Sequence, residues 1–216
     1  MRGALAMVSD DDNLQPDRRR LLLASLAAAA GLPRPVTTEL NAMGQSEQST
    51  RHPKAPKELD RFAFLIGQWR FDARFKSASG DGQTFHGTWT GKYILDGHAI
   101  ADEYRMLGSD GEVAVHGMNF RVYDTVRKVW NIKWLNALDG TWTDLTPEEF
   151  GGAKFEGPSV SYIFREPAGA TKGWATAYTR ATYTSVSPTL FTWRGDKSDD
   201  RTTWKEFMLV ACHRVA

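Results

Sequence analysis

Apolar and polar residues alternate with a period of two over most of the chain from residue 67 onward. In the first such stretch, an apolar side chain stands at every odd position from Trp69 to Phe75, and a charged one at every even position from Arg70 to Lys76. This alternation is typical of a β-strand with one buried and one solvated face. After the first 56 residues, helical spacing occurs at 57–66, where we expect a short helix covering one end of the core.

Turn residues recur at short spacing between the alternating segments, and Asp-Gly pairs such as Asp96-Gly97 favour the positive φ angles of tight hairpins. The pattern predicts about ten strands, at 67–77, 83–95, 98–107, 112–123, 128–137, 141–146, 153–165 (in one or two pieces), 173–184, 188–194 and 202–213. No helix of crossover length separates them, which excludes parallel βαβ units. The predicted fold is all-β, an antiparallel up-and-down barrel with a short N-terminal helix.

The first 56 residues differ in composition from this body. Arg18 and Arg19 precede an apolar stretch, 21–30, which is too short to span a bilayer and includes the small residues Ala28 and Ala30. This resembles a twin-arginine export signal with a peptidase site, which implies a periplasmic or secreted protein. The alternative is an uncleaved, disordered N-terminus. Residues 31–56 lack periodicity, so we expect a signal at 1–30, a disordered linker at 31–56 and a barrel at 57–216.

The turn at Asp96-Gly97 sets which side chains of the following strands share a face. A two-residue turn there makes Trp89 face Tyr104, and an even-length turn near 108–111 keeps that parity. Continued through a four-residue turn at 124–127, this register places eight candidate ligand-binding residues inside the barrel. They are the apolar Trp89, Tyr104, Trp130 and Trp134 and the hydrogen-bonding Asp102, Asn119, Arg121 and Asn136, with Leu95 on the same face of its strand.

The strand at 112–123 is the one place where this register conflicts with polarity. It leaves His116, Met118 and Phe120 on the outer face, although they form the more apolar side of the strand. A bulge would flip the strand and bring His116 inside instead of Asn119 and Arg121. We favour the unflipped register, in which the outer apolar strip would suit a homodimer contact.

A barrel of eight to ten strands has room for one small ligand, and such pockets are mostly apolar with a few orienting polar groups. We therefore expect an aromatic-lined cavity that binds a small apolar or aromatic molecule. The alternative is that Asp102 and Arg121 merely neutralise each other inside a filled core. Catalysis stays open: Asp102, or His116 in the flipped register, is a candidate general acid or base, provided that it is unpaired and faces an open cavity.

The composition of the chain excludes some classes of partner and cofactor. The 216 residues carry a net charge of +1, and phosphate contacts need a surplus of basic residues, so nucleic acid is not an expected partner. No apolar run is long enough to span a membrane. The single Cys212 cannot close an intramolecular disulfide, and the five histidines form no His-x-His or His-Glu-x-x-His pattern, so we expect no metal site.

The stretch 64–69, with Gly67 and Trp69 as a Gly-x-Trp motif, resembles the opening of lipocalin-like (calycin) barrels. There a short helix leads into the first strand and the tryptophan plugs the barrel base. The segments 93–97, 102–104 and 123–124, together with Trp130, resemble a bacterial family of exported lipocalin-like proteins, over roughly residues 60–214. The resemblance implies the fold, a ligand cavity, and a basic residue, Arg214, packed over Trp69. It implies no particular reaction.

Nitrobindin-like haem barrels also share the Gly-x-Trp motif at the first strand, and they bind haem through a histidine near the C-terminus. His213 is the candidate for that role here. The Arg70-Phe71 continuation lacks the glycine that is usual in that family. We therefore expect no cofactor, with haem bound through His213 as the less favoured alternative.

Overall fold

The computed structural model describes residues 50–76, 82–166 and 178–215. The expected export signal at 1–30 lies outside the described residues, as does most of the expected linker. A 3-10 helix, Lys57–Leu65, precedes eleven strands, and a second short 3-10 helix, Glu148–Phe150, follows the sixth. The strands are β1 (Gly67–Lys76), β2 (Gly82–Ile94), β3 (Ala99–Leu107), β4 (Val113–Asp124), β5 (Val129–Asn136), β6 (Trp142–Asp144), β7 (Lys154–Glu156), β8 (Ser159–Phe164), β9 (Tyr178–Thr184), β10 (Leu190–Ser198) and β11 (Lys205–Arg214).

The strands form one antiparallel sheet in the order β6-β5-β4-β3-β2-β1-β11-β10-β9-β8-β7. Each strand therefore pairs with its neighbours in sequence, except that β1 also pairs with β11, while β6 and β7 are the edges. The sheet curls into a half-barrel, so that Arg121 on β4 donates a hydrogen bond to Tyr183 on β9. The all-β, antiparallel prediction is confirmed. No helix among the described residues is long and apolar enough to cross a membrane.

The register predicted from the Asp96-Gly97 turn is confirmed. Trp89 pairs with Tyr104 and Gly91 with Asp102 on β2 and β3, and Asp102 pairs with Asn119 on β4. The strand at 113–124 is not flipped. Leu107 pairs with Val113, so the loop between β3 and β4 has an odd length instead of the expected even one, but a bulge between Met106 and Leu107 restores the expected parity. The next turn lies one residue later than predicted, since Asp124 already pairs with Val129, and this shift leaves every side chain on its predicted face.

Two local predictions were wrong. Leu95 is 70% exposed, because it begins the hairpin loop with a φ of 51° instead of ending the strand. The strand predicted to stop at residue 194 continues to Ser198 through a bulge between Gly195 and Asp196. The linker predicted at 31–56 lies mostly outside the described residues; within it, the backbone N–H of His52 donates to the Gly97 carbonyl and Ala55 is buried.

The first 3-10 helix closes one end of the half-barrel, which we call the base. Leu59, Phe62 and Leu65 are fully buried there, and the ring of Phe62 meets the edge of Trp130 at a centroid distance of 4.8 Å. Trp69, also fully buried, donates its indole N–H to the Leu65 carbonyl over 3.1 Å. The helix ends just before β1 begins, and its apolar side covers the end of the half-barrel that the sheet leaves open.

Candidate functional site

A cavity of about 720 Å³ opens on the inner side of the sheet, at the end opposite the base, which we call the mouth. It lies where β1, β8 and β5 end and where β9 and β11 begin. None of the residues that line it comes from the 3-10 helix at the base. Among the described residues, nine aromatic side chains line it: Phe75, Trp89, Tyr104, Trp134, Tyr162, Phe164, Tyr183, Trp193 and Phe207. This size and lining are within the range of pockets that hold a small organic molecule.

Five of the eight predicted ligand-binding residues line this cavity: Trp89, Tyr104, Asn119, Trp134 and Asn136. The other three, Asp102, Arg121 and Trp130, lie deeper, between the cavity and the base. Trp130 packs on Phe62 and is buried in the core. The predicted facing is therefore right for all eight, but a shared face does not place them at the same depth along the barrel.

Asp102 and Arg121 form an ion pair in which both side chains are fully buried. The same carboxylate accepts hydrogen bonds from the Trp89 indole N–H over 2.6 Å and from the Asn119 amide over 2.8 Å. Arg121 in turn donates to the Tyr183 hydroxyl over 2.9 Å. Burial raises the pKa of Tyr183, and the charge of Arg121 opposes that shift. Asp102 and Arg121 thus neutralise each other, as the alternative from the sequence proposed. The interior is nevertheless not filled, because the cavity lies on the mouth side of the pair.

Neither candidate general acid or base is unpaired and facing the cavity. Asp102 is closed off by Arg121, Trp89 and Asn119. His116 lies on the outer face of β4, where its Nε2 is 2.7 Å from a carboxylate oxygen of Glu103 on β3. Polar side chains on neighbouring strands commonly form surface contacts of this kind. The alternative that placed His116 inside the barrel is wrong, because β4 is not flipped.

No histidine is among the residues that line the cavity within the described part of the chain. His213 is exposed on β11, next to the inward-facing, fully buried Cys212. Because successive strand residues point to opposite faces, His213 points away from the barrel interior. His213 is therefore not placed to contact a group held in this cavity. The described residues also contain no group of three or more His, Cys, Asp or Glu side chains that could hold a metal ion.

About a third of the described residues that line the cavity come from β8 to β11, and none of the eight predicted ligand-binding residues lies on these strands. Tyr162 and Tyr183 bring their hydroxyl oxygens to 3.3 Å from each other, and Trp193 and Phe207 meet edge to face. In the sequence, these residues are marked only by the alternation of apolar and polar residues along each strand. That alternation shows which face a residue lies on, but not how far along the barrel it lies. The bulge after Gly195 also breaks that alternation, so register could not have been continued through β10.

The bulge turns Lys197 into the barrel near the mouth. Its ammonium donates to the Thr179 hydroxyl over 2.8 Å, lies 2.5 Å from a Glu166 carboxylate oxygen, and sits 4.7 Å from the centre of the Phe207 ring. Burial lowers the pKa of Lys197, and the carboxylate of Glu166 opposes that shift. Thr179, Glu166 and Phe207 all line the cavity. At the mouth, beside the cavity wall, the carboxylate of Glu166 thus balances the positive charge of Lys197.

No family model matches the chain, and no curated protein sequence matches it. Among solved structures, the chain is similar to the protein in "Crystal Structure of Rv2717c from M. tuberculosis", with a TM-score of 0.52 and 9% identity over 75% of this chain and 99% of that one. A de novo designed fluorescence-activating β-barrel aligns with a TM-score of 0.36 and 15% identity over 70% of this chain and 94% of that one. The likeness to the mycobacterial protein shows a β-barrel fold and nothing more specific.

Proposed function

We propose that this protein is a lipocalin-like barrel that binds a small apolar or aromatic molecule in the cavity at its mouth. The observation that carries the proposal is the cavity itself, which has a volume of about 720 Å³ and is lined by nine aromatic side chains of the described part of the chain. A core whose only task is stability packs without voids much larger than a water molecule. The Gly67-x-Trp69 opening and the arginine over Trp69 support the lipocalin-like assignment.

A fluorescence titration tests the proposal. Trp89, Trp134 and Trp193 line the cavity, so a bound aromatic compound should quench the emission of the protein in a saturable way. We expect this for neutral aromatic and lipid-like compounds, beginning with 1-naphthalenemethanol. Native mass spectrometry of protein purified from its source would show a ligand that the protein already carries.

Two matched variants locate the binding. Trp134→Ala removes an indole from the cavity wall, whereas Trp142→Ala removes one that is 56% exposed outside the cavity. We expect Trp134→Ala to weaken binding about tenfold, which corresponds to about 1.4 kcal/mol, and Trp142→Ala to leave the affinity unchanged. Equal effects of both variants, or no saturable quenching by any compound, would count against a ligand-binding cavity.

We also propose that the protein acts outside the cytoplasm, directed there by residues 1–30. The support is the Arg18-Arg19 pair before an apolar stretch that ends in small residues. Replacement of both arginines by lysine should keep the chain in the cytoplasm at full length. Intact-mass measurement of the wild-type protein from the periplasm should show a chain shortened near residue 30, whereas an unshortened cytoplasmic chain would refute export.

A further inference from the structure

We infer that the ligand of this cavity carries a positive charge, as an aromatic or apolar amine does. The inference rests on the proposed function and adds the charge of the ligand to it. It starts from the distribution of charge along the cavity wall. Among the described residues, the charged side chains that line the cavity are Asp139 and Glu166, and both are acidic.

The arginine inside the barrel is not available to an anionic ligand. Arg121 is fully buried, is paired with Asp102, and lies below the residues that line the cavity. To bind a carboxylate, it would have to leave Asp102 unpaired in the core, which is costly. The sequence alone made Arg121 a candidate for orienting a ligand, but its charge is already balanced by Asp102.

The ammonium of Lys197 is balanced in the same way. It contacts Glu166 and Thr179, and it is not itself among the residues that line the cavity. Glu166 and Lys197 together contribute no net charge to the mouth. An anionic ligand would therefore have to compete with a carboxylate that is held at 2.5 Å.

Asp139 supplies the remaining charge. Its carboxylate accepts hydrogen bonds from the backbone N–H and hydroxyl of Thr141 and from the Asn136 amide, at 2.6 to 2.9 Å. The two bonds from Thr141 stabilise the ionised carboxylate and lower the pKa of Asp139. No Lys, Arg or His among the described residues forms an ion pair with Asp139, so this side chain gives the described part of the cavity rim a net negative charge.

Like Asp139, the aromatic side chains of the cavity wall favour a cationic ligand. The face of an aromatic ring attracts a cation, and the attraction grows when the cation loses its water. The mouth already shows this arrangement once, since the Lys197 ammonium lies over the Phe207 ring beside a carboxylate. A ligand amine placed among the rings, with Asp139 at the rim, would meet the same two kinds of partner.

Three probes that share the naphthalene ring test the inference: 1-naphthalenemethylamine, 1-naphthalenemethanol and 1-naphthaleneacetate. Calorimetric titration of the protein at pH 7 and low salt should give the tightest binding for the amine. We expect the amine to bind about fivefold more tightly than the alcohol and at least about tenfold more tightly than the acetate, as one charge pair at partial exposure and a cation–π contact imply.

Asp139→Asn locates the preference, because it removes the charge and keeps the side-chain shape. It should weaken the amine about fivefold and leave the alcohol unchanged. The control, Asp72→Asn, removes an exposed carboxylate on the outer face, which is paired with His86, and should change neither. The inferred charge of the ligand is wrong if the alcohol binds and the amine binds no more tightly than it. It is also wrong if Asp139→Asn changes the affinity for the amine no more than Asp72→Asn does. In both cases the proposed ligand-binding cavity is unaffected. If none of the three probes binds, the proposed function fails together with it.

Discussion

The guanidinium carbon of Arg214, at the end of β11, lies 4.1 Å from the centre of the Trp69 ring near the start of β1. Arg214 also donates to the carbonyls of Ile66, over 2.8 Å, and Pro188, over 2.5 Å. One side chain thus ties the last strand to the first strand and to the end of the 3-10 helix at the base. The contact expected from the resemblance to lipocalin-like barrels is confirmed.

Arg214→Ala should lower the free energy of unfolding by about 1–2 kcal/mol, because it removes a cation–π contact and two charged hydrogen bonds. Urea denaturation followed by tryptophan fluorescence measures the change. Arg70→Ala, which removes an exposed arginine from the outer face of β1, is the matched control and should stay within about 0.5 kcal/mol of wild type. A loss from Arg214→Ala no larger than the control's would show that the arginine does not hold the base together.

The buried pair of Asp102 and Arg121 should show strong energetic coupling. Arg121→Met leaves a carboxylate without its counter-ion in the core and should cost about 3–5 kcal/mol. Asp102→Asn combined with Arg121→Met removes both charges and keeps an acceptor for Trp89 and Asn119. The double variant should therefore be more stable than the sum of the two single changes predicts, by at least about 1 kcal/mol. Additive losses in a double-mutant cycle would contradict a direct pair.

Gly91→Ala should be severely destabilising. A Cβ at this position would lie 2.1 Å from the Leu65 carbonyl oxygen, which belongs to the backbone of the helix at the base. Either β2 or the helix must move, so we expect a loss above about 3 kcal/mol and faster proteolysis within residues 57–66. Gly111→Ala is the control, since its Cβ meets nothing within 4 Å and its φ of 82° alone should cost about 1 kcal/mol. Similar losses in the two variants would exclude the contact as the cause.

Two tyrosines should resist ionisation in the native protein. Burial raises the pKa of Tyr104 and of Tyr183 above the ordinary value of about 10. Because the folded pKa values exceed the unfolded one, these groups stabilise the fold fully below pH about 10, and that contribution is lost as the pH rises through the folded values.

An alkaline titration monitored by tyrosinate absorbance checks this. Of the six tyrosines, at least these two should ionise only together with unfolding, whereas all six should ionise near pH 10 in denaturant. Reversible ionisation of all six before the loss of folded fluorescence would contradict the burial of Tyr104 and Tyr183.

The sequence alone determined the strands and the inner face of β2 to β5. Side chains alternate strictly along a strand, and a hairpin of even loop length preserves the facing of its partners. For that reason the error of one residue in the turn before β5 changed nothing. Asn119 and Arg121 lie inside as predicted because the bulge between Met106 and Leu107 offsets the odd length of the loop before β4. The same reasoning failed at Leu95, because a strand end is set by backbone conformation rather than by the apolarity of one residue.

Only the tertiary structure decided which inward residues share the cavity. Alternation gives the face of a residue but not its depth, so Asp102 and Arg121 were indistinguishable in sequence from Asn119 and Trp134. Curling of the sheet brings β4 to β9, and the helix at the base fills one end with Phe62, which leaves the ion pair in the core and the cavity at the mouth. Contacts between residues more than 60 positions apart, such as Arg121 with Tyr183, follow from closure of the sheet, which no local pattern encodes.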